Sequence, residues 1–296
     1  MNDKNFKKNL KTKAFSLIEL SIVILIIGIL VAGVTGSSRL VKRMKIITAQ
    51  NLTNSSPISS IKDLIFWYET SLEKSFNDVE EQENSFLTAW YDISPTSVDK
   101  LHTYPPASTA NQPKFNESIM NGLPAVRFDG DDYFILNPNL FYNNNFTLIL
   151  VERKLSTNAF CIFAWNPPWT GSCNYNECFH ICYRADNHFT FDFYASSTEF
   201  VSNELIGIKN RIHTMIFDRA FGKKYWLNGG LNPDAVQTSA MSSWALIPIT
   251  QARSTYFGNG FNGYISEIIL FNRGLKDEER MAIESYLSKK YAIPIL

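Results

Sequence analysis

One acidic residue stands inside the most apolar stretch of the chain. Glu19 lies five positions into residues 15–34 (FSLIELSIVILIIGILVAGV), where an ionised carboxylate costs about 2.5 kcal/mol or more at mid-membrane depth. Near the helix end such a group could reach the interface; the sharper reading is that it has a partner, and the free amine of a neighbouring subunit, made by cutting the chain just before Phe15, would fit. Four cysteines, Cys161, Cys173, Cys178 and Cys182, form a second cluster. In an exported domain they predict two disulfides in one of three pairings. The alternative is a metal site completed by His180 or His188, although the C-x11-C-x4-C-x3-C spacing lacks the paired CxxC of zinc motifs. Asp129, Asp131 and Asp132 could give oxygen ligands to Ca²⁺, or else form a polar hairpin turn. Trp165, Trp169, Trp226 and Trp244 could stack on sugar rings, or fill a core as most tryptophans do.

Other chemistry is excluded more firmly. The chain has no G-x-S-x-G elbow, no H-E-x-x-H and no phosphate loop. A glycosidase needs two carboxylates about 5–9.5 Å apart, whereas Asp192 and Glu267 stand singly on their strands, so no enzyme is expected. His102, His180, His188 and His213 are scattered, and no His–carboxylate pair can be read from spacing. Lys+Arg and Asp+Glu are 28 each, a balance that argues against a nucleic-acid partner.

The elements that carry these groups divide the chain. Residues 1–14 hold Lys4, Lys7, Lys8, Lys11 and Lys13 against Asp3, which favours a cytoplasmic N-terminus and export of the rest. Residues 15–34 are long enough as a helix, roughly 30 Å, to cross a bilayer. Leu40, Met44 and Ile47 then continue a narrow apolar stripe to about Gln50, and residues 51–60 (NLTNSSPISS) read as a hinge. Beyond residue 61 short strands alternate with turn clusters. The strongest are 146–153, 189–194, 211–218 and 263–271; weaker ones lie at 125–128, 133–136, 160–165, 179–183, 224–227 and 255–258. That pattern predicts a sandwich or jelly roll rather than βαβ units. One late helix is predicted at 276–289, with acids in its first turn and Lys289 and Lys290 at its end.

Two resemblances sharpen this reading. Residues 13–20 (KAFSLIEL) resemble the processing signal of type IV prepilins and pseudopilins: a basic leader, a small residue, Phe, then Glu in an apolar run. The resemblance implies cleavage between Ala14 and Phe15 by a prepilin peptidase that also methylates the Phe15 amine. It implies that Glu19 pairs with the Phe15 amine of an adjacent subunit during assembly. The family usually has Gly where this chain has Ala14. A secretory signal cut at 32–36 would leave Glu19 unexplained. Residues 121–133 (NGLPAVRFDGDDY) and 261–280 (FNGYISEIILFNRGLKDEER) resemble the concanavalin A-like, laminin-G-like jelly-roll family, with Trp67 and Trp90 at its upstream aromatic positions.

The expected fold is therefore mainly β: a long N-terminal α-helix (transmembrane), then a jelly-roll β-sandwich with a C-terminal helix. Its parts are a leader at 1–14, an assembly helix at 15–50, a linker at 51–60 and the jelly roll at 61–296. The resemblances imply a non-enzymatic subunit of a type IV pilus or type II secretion-like pseudopilus, in a minor or tip position because the head is bulky. It would wait as a single-pass protein in a bacterial inner membrane and then reach the periplasm or cell surface in a filament. Its partners would be the prepilin peptidase/methyltransferase, other pilin subunits and, through the head, surface glycans, with no cofactor unless Ca²⁺ occupies the acidic turn. The rival is a membrane-anchored carbohydrate-binding module that never polymerises.

Overall fold

The computed structural model describes residues 17–97, 99–141, 144–165, 179–193, 196–238, 255–258 and 260–296. They divide into two compact units, Met1–Lys45 and Ile46–Leu296.

The first unit is the greater part of one helix, α1 (Leu17–Asn54). Its opening turns are aliphatic, and Ser21 satisfies its own hydroxyl by donating to the Leu17 carbonyl. Large side chains between residues 17 and 31 stand open, from 45% exposed at Val23 to 83% at Leu17.

The second unit begins with the last turns of α1 and is mainly β. Residues 51–60, expected as a linker, are built into it. The helix runs to Asn54, a 3-10 turn follows at Pro57–Ser60, and Ala49, Thr53, Ser56 and Ile58 are buried. Pro57 ends the helix, since its ring excludes a helical conformation in the preceding residue.

Among the described residues fourteen strands follow: β1 (Leu64–Glu69), β2 (Lys114–Met120), β3 (Leu123–Asp129), β4 (Phe134–Leu136), β5 (Phe146–Lys154), β6 (Phe160–Trp165) and β7 (His180–Ala185). Then come β8 (His188–Phe193), β9 (Ser196–Val201), β10 (Arg211–Asp218), β11 (Gly222–Leu227), β12 (Ala235–Gln237), β13 (Thr255–Phe257) and β14 (Asn262–Phe271), with helix α2 (Asp277–Tyr291) closing the chain. The large sheet has the order β12-β11-β10-β5-β14-β3-β2, with β1 also paired to β14; the small sheet runs β4-β13-β6-β7-β8-β9. All the pairings are antiparallel. This is the jelly-roll sandwich with a C-terminal helix.

The central strands of the large sheet are buried on both faces, which explains why they read as nearly continuous apolar runs. In β5, Leu148 and Leu150 face a phenylalanine-rich core between the sheets, while Ile149 and Val151 face a second core beneath α2. That second core also holds Ala49, Ile58, Ile283 and Leu287. Helix α2 lacks a Ser or Thr cap. Instead the Glu279 carboxylate accepts the Lys276 backbone N–H at 3.0 Å, and Arg273, which donates to the same carboxylate, draws its pKa down to about 2.

Candidate functional site

The residues singled out in the sequence fall into three places. Glu19 sits in the first turn of α1; Ala14 and Phe15 lie outside the described residues. An α-helix apolar on every side is stable only where something covers it. Among the described residues, no helix is long and apolar enough to cross a membrane.

The acidic turn after β3 does gather its carboxylates. Asp129, Asp131 and Asp132 can bring one oxygen each within 4.8 Å of one another. The turn also satisfies itself, because the Asp132 carboxylate accepts the Asp129 backbone N–H at 2.9 Å. Burial, then a hydrogen bond shared with Asp129, pushes the Asp132 carboxyl up to about 7. Three carboxylates suit a hard cation, although Ca²⁺ takes six to eight oxygens and would need carbonyls or water for the rest.

The outer face of the small sheet carries two of the four cysteines. Cys161 and Cys182 lie opposite one another on β6 and β7 and form a disulfide. Cys173 and Cys178 lie outside the described residues, as do Trp169 and Trp244. Beside the disulfide, Asp192 accepts from Arg184 at 3.1 Å and lies 3.2 Å from His180 Nε2. Burial raises this carboxyl, but hydrogen bonds from His180, Thr190 and Arg184 outweigh it and hold the pKa below its ordinary value. A second pair, His213 and Glu152, meets at 3.0 Å in the core, with both side chains closed to solvent. Neither pair is legible from spacing, because each is made across strands. Trp226 is a core residue, covered by the Arg280 guanidinium at 4.3 Å.

Glu267 is the feature the sequence hides best. A register shift in β14 between Ile265 and Glu267 inserts one extra residue. Ile265 faces the core between the sheets; the bulge turns Glu267 to the other face, opposite Val151 and beneath α2. There Lys290 reaches Glu267 at 3.0 Å and Glu69 at 2.7 Å, all three fully buried. Trp67, Tyr286 and Tyr291 donate to Glu267 at 2.7, 3.0 and 2.8 Å. Lys290 also donates to Thr53 at 2.8 Å, tying the end of α1 to α2. Glu69 accepts from the backbone N–H groups of Ser71 and Leu72 and from the Ser75 hydroxyl. Burial pushes Glu69 up, yet Lys290 and these donors hold it below its ordinary pKa; for Glu267, burial wins and the pKa is raised. Two carboxylates share one ammonium where no substrate can reach them, while Asp192 lies on the other sheet. The arrangement suits architecture and not hydrolysis.

Comparison with known proteins bears on both units. Residues 9–35 match the family model described as the prokaryotic N-terminal methylation motif. The match covers the N-terminal segment of the chain alone. No curated protein matches the sequence. Among solved structures, the chain is similar to the binding domain of botulinum neurotoxin serotype D, with a TM-score of 0.50 at 16% identity, covering 79% of this chain and 53% of that one. It is also similar to the binding domain of botulinum neurotoxin DC in complex with SialylT (TM-score 0.49, 14% identity, covering 76% and 52%) and to Trypanosoma rangeli sialidase in complex with sialic acid (0.47, 13%, 77% and 33%). The chain thus spans about half the length of the neurotoxin domains it matches. At such identities the likeness is one of fold, the jelly-roll sandwich already described.

Proposed function

We propose that the protein is a prepilin-like structural subunit of a type IV pilus or of a type II secretion-like pseudopilus, and that its jelly-roll head is displayed for adhesion or saccharide binding. The observation that carries this reading is the methylation motif at residues 9–35, which runs directly into a helix of uncovered apolar side chains containing Glu19. A prepilin peptidase removes residues 1–14 and methylates Phe15. The mature helix then rests in the inner membrane as a single span until it packs among other pilin helices. Glu19 is neutralised there by the Phe15 amine of the next subunit, which offsets the cost of a buried carboxylate. A head of 251 residues, Ile46–Leu296, favours a minor or tip position over the repeating shaft.

Intact mass of the protein purified from its native host tests the reading. The expected chain starts at Phe15 and carries one added methyl group. A chain that keeps its lysine-rich start, or one cut after Gly36, would overturn it in favour of an anchored saccharide-binding module that does not polymerise. The lectin-like fold of the head gives that second reading its support.

A further inference from the structure

We infer that the outer face of the large sheet carries a binding site for an acidic saccharide, built on one row of three cationic and two aromatic side chains. The strand register places Phe86 opposite Lys114, Lys114 opposite Arg127, Arg127 opposite Tyr264, and Tyr264 opposite Arg153. Residues directly opposite in an antiparallel ladder share a face. Their chain neighbours Phe115, Val126, Phe128 and Ile265 turn into the core between the sheets, so this row turns outward. The four sheet residues are half-buried, and Phe86 is exposed.

The row is cationic and held in place by neutral groups. Lys114 Nζ lies 5.0 Å over the Phe86 ring, and the Arg127 guanidinium lies 5.4 Å over Tyr264. Arg127 donates to the Asn262 side chain at 2.9 Å and Arg153 to the Ile119 carbonyl at 3.0 Å, while Arg153 Nε is buried without a partner. Among the described residues, no carboxylate forms an ion pair with Lys114, Arg127 or Arg153. Asp129, at the end of β3, feels Lys114 and Arg127 but shares its hydrogen bonds with Asp131 and Asp132. Guanidinium forks recognise carboxylates in plane, and ring faces suit the C–H face of a sugar. Four inter-strand steps of about 4.8 Å give a row of roughly 19 Å, the reach of a short oligosaccharide and too long for one small anion. Loss of five lysines with the leader leaves the mature chain acidic overall, which disfavours a polynucleotide.

This deepens the saccharide-binding role proposed for the head; the N-terminal mass tests the filament reading separately. Calorimetry on the full chain in detergent should use a hyaluronan hexasaccharide, a heparin hexasaccharide and an α2,8-linked sialic acid trimer, with maltohexaose and inorganic phosphate as controls. Saturable binding of at least one acidic saccharide, none of maltohexaose, and at least tenfold weakening in Arg127→Gln/Arg153→Gln at unchanged melting temperature would support the site. No saturable binding of any acidic saccharide, equal binding by the double variant, or phosphate alone binding as tightly would overturn it. Should the double variant fold poorly, Phe86→Ala decides: weakened binding supports the row, and unchanged affinity refutes it.

Discussion

Lys290→Met is the sharpest test of how the head is held together. The wild-type ammonium lies 2.7 Å from Glu69 and 3.0 Å from Glu267, with all three side chains closed to solvent. Methionine fills much of the same volume but leaves both carboxylates facing each other without a cation. Breaking a buried ion pair from one side costs about 3–5 kcal/mol. For a domain of this size that is about 2–4 °C per kcal/mol, so melting should fall on the order of 10 °C. The loss should also depend on pH in a definite direction. Without Lys290 both glutamates hold protons more tightly in the folded state than in the unfolded chain, so folding takes up protons and stability falls as pH rises above the ordinary carboxyl range. The variant should therefore lie further below wild type at pH 8 than at pH 5 in urea unfolding. Adding Glu69→Gln and Glu267→Gln to Lys290→Met should recover part of the deficit, because buried neutral amides replace buried charges. A deficit under about 1 kcal/mol at both pH values would refute the argument, since a cation shared by two buried carboxylates cannot be removed so cheaply.

Three further outcomes follow from the same contacts. A head cut at Ile46 should fold, whereas one cut at Ile61 loses Ala49 and Ile58 from its second core and the buried Thr53; burial of Ile58 alone is worth about 1.5–3 kcal/mol, and circular dichroism melts of the two fragments check this. Cys161→Ser/Cys182→Ser removes a cross-link of sequence separation 21 and should lower stability by about 3 kcal/mol on the loop-entropy account, an effect that dithiothreitol should reproduce in wild type. Asp132, raised to about 7 by burial and by Asp129, keeps a proton in the folded state that the unfolded chain gives up near its ordinary pKa of about 4. Stability from this group is therefore present at acid pH and eroded between about 4 and 7, so Asp132→Asn should flatten that part of the profile; millimolar Ca²⁺ that failed to shift wild-type melting would set aside a cation role for the turn.

The strands that could be read in the sequence share one property: each lies where the chain is apolar enough to be buried by itself. Residues 146–153, 211–218 and 263–271 became β5, β10 and β14 with boundaries shifted by no more than one residue. Strands carrying their polarity into the interior stayed hidden. β2 (KFNESIM), β9 (SSTEFV) and the short β12 (AVQ) look like turns or loops until a partner strand claims their backbone groups. Residues 51–60 failed for a related reason. Their Asn, Ser and Pro content marks a break in the helix, which Pro57 does impose, yet composition cannot show that Thr53, Ser56 and Ile58 are buried, or that Thr53 meets Tyr286 at a separation of 233 residues.

Charges were the least legible groups, because sequence alone treats a lysine in a last helical turn as a solvated complement to the dipole. Lys289 and Lys290 are neighbours with the same local signal, and only Lys290 is buried. What separates them is the bulge in β14. Without the extra residue, Glu267 would share the face of Ile265 and point between the sheets; with it, the carboxylate arrives under α2 to meet Lys290. Lys290 then binds Glu69 at a separation of 221 residues and Thr53 at 237. One local backbone irregularity thus decides whether a pair of distant charges is an energetic liability or a joint. If α1 is held in a filament as proposed, a pull on its C-terminal end reaches the sandwich through this joint and the apolar contacts of Ala49 and Ile58. Head displacement under load should therefore track the strength of the Lys290 contacts, and when full-length chains are pulled from both ends Lys290→Met should release the last turns of α1 from the sandwich at lower force than wild type; equal rupture forces would refute the joint.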